Sequence, residues 1–306
     1  MNLTRSNLRV ALSAIIVASI PAAGACADGC GTRSLGKIVI ATLNRAPFVT
    51  LLANGRPVTL ILDTGAERTV LTPTAADRIA AQRPIVEFPR QLRGISGDLQ
   101  SREIELRSFT AGSVALPWRR VLVAPVTMAQ VFATPLDGLL GADVLSDFDI
   151  DLDLPHHELK FYEKQICPTA SPDWREPYIS LNTGLSRGQH LFFPVRLEDR
   201  SLTAFIDTGA QITTVSRAAA HAIGVTDSLL ASDRPAKAQG IAAGPLPARI
   251  HQFAKLNVGP LVIARPEILV TDVSASDADV VLGIDFLFRR RVWLSYGARR
   301  VFLSSR

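Results

Sequence analysis

The chain repeats itself at a spacing that dictates its architecture. Asp63-Thr64-Gly65-Ala66-Glu67-Arg68-Thr69-Val70-Leu71-Thr72 returns as Asp207-Thr208-Gly209-Ala210-Gln211-Ile212-Thr213-Thr214-Val215-Ser216. Each copy follows an apolar run, Leu60-Ile61-Leu62 in the first and Phe205-Ile206 in the second, and each precedes an Ala-rich amphipathic stretch near 75–80 and 218–223. A second landmark recurs as well. Leu139-Leu140-Gly141-Ala142-Asp143-Val144-Leu145 matches Val281-Leu282-Gly283-Ile284-Asp285-Phe286-Leu287. Asp63 precedes Gly141 by 78 positions, and Asp207 precedes Gly283 by 76. Two landmarks at matched spacing mark an internal duplication. The chain should fold as two similar lobes.

Within each lobe the local patterns are those of β-structure. Residues 48–53, the turn Asn54-Gly55 and residues 57–62 predict a tight hairpin. Residues 192–198, Asp199-Arg200 and 202–206 repeat that layout. Short apolar strands are predicted at 104–109, 121–126, 150–154 and 159–162, with counterparts at 250–256, 268–271, 292–295 and 300–303. A short helix is expected after each Gly-x-Asp, at 143–147 and 285–288. Residues 167–189 are rich in Pro, Ser and Gly and read as a connection, with a strand near 178–181. The expected organisation is a leader at 1–27, a lobe at 28–165, a linker at 166–189 and a second lobe at 190–306. The fold class is all-β and bilobal, with a pseudo-two-fold axis between the lobes.

A length of 306 residues is enough for two ordinary cores. With 47% hydrophobic and 20% charged residues the composition is that of a globular protein. The formal net charge is +5, and Arg5 and Arg9 in the leader supply two of those charges. The remaining basic residues are scattered, with Arg289 to Arg291 the only tight run. No nucleic-acid partner is expected from such a distribution.

Arg5 and Arg9 precede an apolar stretch at 10–20, which Pro21 ends. Ala23-Gly24-Ala25 and Ala25-Cys26-Ala27 both offer the small-x-small pattern of a signal-peptidase site. The apolar stretch is short for a bilayer span. A signal peptide at 1–27 and export to the periplasm or beyond are the primary expectation. A retained membrane anchor is one alternative. Lipidation at Cys26 is another, because Ala23-Gly24-Ala25-Cys26 loosely resembles a bacterial lipobox that lacks its usual Leu. Cleavage removes Cys26 and lipidation consumes it, which leaves Cys30 and Cys167. An oxidising compartment would keep that pair as a disulfide; two free thiols are the other reading. No Cys or His lies at ligand spacing to either, so no metal and no cofactor are expected.

The repeated Asp-Thr-Gly carries the chemistry. An Asp at the end of an apolar strand is unfavourable unless its carboxylate is hydrogen-bonded. The Gly permits a sharp turn that brings backbone N–H groups to it, and Ala66 and Ala210 leave room for a second loop to approach. Two such loops facing each other would bring two carboxyls together, and like charges that close share one proton. One carboxylate can then take a proton from water while its protonated partner donates to a carbonyl oxygen.

At these residues the sequence resembles the pepsin and retropepsin families of aspartic proteases. Asp-Thr-Gly-Ala and the apolar-apolar-Gly-x-Asp-x-Leu segment are similar to the retroviral type, while two lobes in one chain resemble the pepsin arrangement. The resemblance spans about residues 45–162 and 190–304. It implies that Asp63 and Asp207 form the catalytic pair and that Thr64 and Thr208 bond each other's loop. It implies that Gly65 and Gly209 supply backbone donors. It also implies flaps, for which Gly94, Ile95 and Gly97 in the first lobe and Gly240, Ile241 and Gly244 in the second are the candidates; plain surface turns are the other reading. Two departures stand out. Ala142 and Ile284 occupy the position of the retropepsin Arg, which leaves Asp143 and Asp285 to find other partners in a structural role. The flap candidates lack the Tyr typical of pepsins. No clear propeptide signal is read before the first lobe, so activation by its removal is not expected.

The resulting expectation is an aspartic endopeptidase, active as a monomer on periplasmic or secreted polypeptides. The alternatives are a non-catalytic peptide- or protein-binding module on the same fold, and lobes that serve dimerisation through sheet edges. His156 and His157 read as a solvated pair, and His190, His221 and His251 as isolated. Asp147, Asp149, Asp151 and Asp153 alternate with apolar residues, as in a strand with one polar face; calcium binding is the outside reading.

Overall fold

The computed structural model describes residues 31–81, 90–94, 97–117, 119–126, 136–185, 189–240, 244–272 and 278–305. The duplication extends to the whole strand path of each lobe. In the first, the order across the sheet is Arg90–Gly94, Gly97–Glu105, Arg120–Val123, Val70–Leu71, Gly138–Leu140, Arg56–Leu62, Ala46–Ala53, Phe109–Ala111, Val114–Ala115. In the second it is Arg234–Ala238, Leu246–Gln252, Glu267–Thr271, Thr214–Ser216, Val280–Leu282, Arg200–Ile206, Leu191–Leu197, Lys255–Val258, Leu261–Ala264. The fold is thus bilobal and mostly β, as the sequence predicts.

The strand that delivers each Asp runs parallel to the strand that delivers the following Gly-x-Asp. Leu60, Ile61 and Leu62 pair with Gly138, Leu139 and Leu140. Ala204, Phe205 and Ile206 pair with Val280, Val281 and Leu282. Asp63 N–H still donates to Leu140 O at 3.0 Å, and Asp207 N–H to Leu282 O at 3.0 Å. Each Asp is therefore the last residue held by the ladder before the chain turns. Short helices follow the second landmark at Ala142–Leu145 and Ile284–Leu287, where they were expected.

A third sheet of six strands joins the halves: Ser34–Val39, Glu158–Glu163, Phe148–Asp153, Arg291–Ser295, Arg300–Ser304 and Tyr178–Asn182, in that order. Phe148–Asp153 from the first half pairs antiparallel with Arg291–Ser295 from the second. The expected strand in the connection, Tyr178–Asn182, closes one edge of this sheet. A single apolar cluster runs from one lobe to the other, including Leu62, Leu140, Ile150, Ile206, Leu282 and Leu294. Each such buried side chain contributes about 1.5–3 kcal/mol, so the relative position of the lobes is set by a shared core.

The alternating Phe148-Asp149-Ile150-Asp151-Leu152-Asp153 strand has the expected polar face, and that face is buried. Asp149 and Asp151 are both 0% exposed. Arg291 donates to Asp151 from Nε at 2.9 Å and Nη2 at 2.6 Å, and Trp174 Nε1 adds a bond at 3.2 Å. Ser295 Oγ donates to Asp149 at 2.9 Å. His156 Nδ1 lies 2.7 Å from Asp153, so the predicted solvated pair has one member tied to this strand. The donors to Asp151 come from the linker and the second half, while Asp149 and Asp153 also take bonds from Gln165 and His156 of the first half.

Two predicted strands are each broken in two. The stretch expected at 104–109 divides between Gly97–Glu105 and Phe109–Ala111, because Asn54 Oδ1 takes the N–H of Arg107 at 2.7 Å and of Ser108 at 3.3 Å. The stretch expected at 250–256 divides between Leu246–Gln252 and Lys255–Val258, where the Glu198 carboxylate takes the N–H of Ala254. Asn54 and Glu198 are equivalent in the two copies, and both have φ of +52°. The side chain of one hairpin's turn thus bends a distant strand. The helix Asp227–Ser232, capped by the Thr226 hydroxyl, was not anticipated.

Candidate active site

Asp63 sits where its strand ends and a tight turn begins. Its Oδ1 accepts the N–H of Gly65 at 3.0 Å and of Ala66 at 2.9 Å. Asp207 repeats the arrangement, with Gly209 at 2.7 Å and Ala210 at 3.2 Å. One oxygen of each carboxyl is thereby fixed, and the other is left for partners outside the loop.

The two loops are bound to each other across the axis. Thr64 N–H donates to Thr208 Oγ1 at 3.1 Å, and Thr208 N–H donates to Thr64 Oγ1 at 3.0 Å. Each hydroxyl then donates to the main chain of the opposite lobe, Thr64 Oγ1 to Ile206 O at 2.9 Å and Thr208 Oγ1 to Leu62 O. Both threonines are buried. Every donor and acceptor in this set is used, which is the condition under which a buried polar network holds one geometry.

Gly65 and Gly209 face the opposite carboxyl. A Cβ at Gly65 would lie 2.3 Å from Asp207 Cγ, and one at Gly209 would lie 2.6 Å from Asp63 Cγ. The carboxyls of Asp63 and Asp207 lie within hydrogen-bonding reach of each other once one of them is protonated. Burial among these loops pushes the Asp63 carboxyl well above the usual carboxylate range, and the charge of Asp207 and the bond to it push the same way. Burial also raises Asp207, but the Gly209 N–H, the bond from Asp63 and the charge of His190 pull it back. Two buried carboxyls this close resist ionising together, so the pair shares one proton. Such a pair offers an acid and a base a few ångströms apart.

Asp143 and Asp285 buttress the loops. Asp143 Oδ1 accepts Thr69 N–H at 2.8 Å and Thr69 Oγ1–H at 2.7 Å, and Arg68 Nε donates to Oδ2 at 3.1 Å. Asp285 Oδ1 takes the Thr213 N–H and hydroxyl at 2.8 Å each. With Ala at 142, Asp143 finds its cation in Arg68 of the active-site loop. Thr69 and Thr213 were not singled out in the sequence, although their place in the repeat would have marked them.

A family model described as Aspartyl protease matches residues 49–144 and again 193–286. The chain belongs to the aspartyl protease family. Both matched regions begin in the hairpin before an Asp-Thr-Gly loop and end in the helix after a Gly-x-Asp. Among solved structures, the crystal structure of basic 7S globulin from soybean is similar over 90% of this chain and 96% of that chain, at 11% identity and a TM-score of 0.47. No curated protein matches the chain.

In this aspartyl protease family member both candidate flap segments stand at hairpins. Gly94 pairs with Gly97 at the end of the hairpin Arg90–Gly94 and Gly97–Glu105, and Ile95 lies outside the described residues. Leu92 and Leu99 of that hairpin pack on the apolar cluster that also carries Ala66. Ala238 pairs with Leu246 in the second lobe; Gly240 and Gly244 lie between them, Gly244 with φ +109°, and Ile241 lies outside the described residues. Cys167 is disulfide-bonded, and Cys26 and Cys30 lie outside the described residues. His190, read from sequence as isolated, is packed beside the second loop: its ring stacks on Phe205 at 4.7 Å and 13°.

Proposed function

We propose that this chain is an exported aspartic endopeptidase in which Asp63 and Asp207 together activate one water. The observation that carries the reading is the cross-axis set of bonds between Thr64 and Thr208, which holds one carboxyl of each lobe against the other. In the mechanism Asp207 takes a proton from water as the water oxygen attacks the peptide carbonyl carbon. Asp63 gives its proton to the carbonyl oxygen. The tetrahedral intermediate collapses when Asp207 returns its proton to the leaving nitrogen and a hydroxyl proton goes back to Asp63. Both carboxyls end as they began, and no covalent enzyme intermediate forms.

The substrate in this reading is an extended polypeptide covered by the two glycine-bearing hairpins. One chain contributes both carboxyls, so a monomer is the active unit. The leader at 1–27 and the disulfide at Cys167 support action in the periplasm or outside the cell. Among the described residues no helix is long and apolar enough to cross a membrane, so attachment would depend on the leader or on Cys26.

The test is cleavage of an unbiased peptide mixture between about pH 3 and 7 by mature protein and by the variants Asp63→Asn and Asp207→Asn. Cleavage by the wild type alone supports the reading. A folded wild type that binds peptides without cutting any of them would turn the assignment to a peptide-binding module.

A further inference from the structure

The two lobes are symmetric in backbone, but the surroundings of the two carboxyls are not. The repeat places His190 at the position that Ala46 holds in the first lobe, Phe192 at that of Phe48 and Phe205 at that of Ile61. Ala46 is 2% exposed and joins an apolar cluster with Ile61 and Leu139. His190 is 9% exposed. It lies flat on Phe205 and meets Phe192 edge-on at 6.2 Å. Phe205 and Asp207 are two residues apart on one strand end, so their side chains share a face. An imidazole on that face stands beside Asp207, where the first lobe has the methyl group of Ala46 in the equivalent position.

We propose that His190 is a positioning residue that breaks the symmetry of the pair, keeping the negative charge on Asp207 and the proton on Asp63. The proposal rests on the reading of Asp63 and Asp207 as a proton-sharing pair. A protonated imidazole is stabilised by the face of Phe205 and by the nearby carboxylate. In return its charge favours the ionised form of Asp207, whereas burial, Asp207 and two backbone N–H groups have the largest effects on Asp63. Asp207 stands on the Phe205 strand, and Asp63 acts through its bond to Asp207. Asp279, beside Ala278 of the same cluster, has its carboxylate occupied by the N–H of Thr203 at 2.9 Å. The dyad thus has a fixed base and a fixed acid, although the loops that carry them are copies of each other.

The coupling can be read without catalysis. The ring C–H signals of His190, followed by NMR from pH 4 to 8 in the full folded chain, should titrate about half a pH unit or more lower in Asp207→Asn than in wild type. Asp63→Asn should have a smaller effect. An unchanged His190 midpoint in Asp207→Asn overturns the proposal, whether or not the protein cuts peptides. A shifted midpoint in a protein without peptidase activity upholds the charge relationship and removes the peptidase reading instead. With activity in hand, His190→Gln should move the acidic limb of the kcat/KM profile upward by about half a unit or more, and His190→Lys should restore it. An equal loss of rate by His190→Gln at every pH, with the limb unmoved, reduces His190 to packing and overturns the proposal.

Discussion

Gly65 of the first lobe lies against the carboxyl of Asp207 in the second, and a Cβ there would come within 2.3 Å of Asp207 Cγ. Neither Gly65 nor Gly209 is among the residues of positive φ. What demands glycine is space for the opposite carboxyl. The same residue that turns its own loop therefore also sets how closely the other lobe's acid can approach.

Gly65→Ala should accordingly damage function more than folding. The methyl group has to push the Asp207 carboxyl aside, and a displacement near 1 Å lowers kcat/KM by about 10²-fold or more. Denaturant unfolding should show a loss of only about 1–3 kcal/mol, as for other overpacked sites. Normal peptidase rates in Gly65→Ala would contradict this placement.

Thr64→Val tests the bonds across the axis. The change keeps the shape but removes the acceptor for Thr208 N–H and the donor to Ile206 O. Urea titration should show a loss of about 2–4 kcal/mol, since two buried groups are left unsatisfied. Thr64→Ser keeps both bonds and should lose about 1 kcal/mol.

Arg291→Met probes the sheet that joins the lobes. It leaves Asp151, 0% exposed, as an uncompensated buried charge, and the expected loss at pH 7 is about 3–5 kcal/mol. Adding Asp151→Asn should recover most of it. Because burial raises the Asp151 carboxyl, the deficit should also shrink as pH falls through its folded value and the acid becomes neutral.

How far the sequence reaches can be judged from these same residues. Asp63, Thr64 and Gly65 were legible because the motif recurs, each time before the same second landmark. The strands around them were legible because their alternation is local. Burial of the Asp149–Asp153 face was not, since its partners Arg291, Trp174 and Ser295 lie in the linker and the other half. The bends set by Asn54 and Glu198 depend equally on contacts more than 50 residues away. His190 read as isolated because a lone histidine carries no motif. Its meaning comes from the comparison with Ala46, and only the pairing with Phe205 shows where it points.

The pair should also leave its mark on stability against pH. The folded Asp63 carboxyl is raised above its unfolded value. Its contribution to stability is thus complete below the unfolded pKa, about 3.9, and is lost as pH rises through the folded value. Wild type should therefore lose stability relative to Asp63→Asn as pH climbs from 4 to 8, with the difference read from denaturation midpoints. A constant difference across that range would mean that the pair does not share a proton.

The central claim is that Asp63 and Asp207 act as one unit, and a double-mutant cycle on kcat/KM tests it most directly. Asp63→Asn and Asp207→Asn should each lower the rate by about 10³-fold or more, and the double variant should be no slower than either single one. Losses that multiply in the double variant, or a single variant that keeps its rate, would show two carboxyls working independently and would contradict the account.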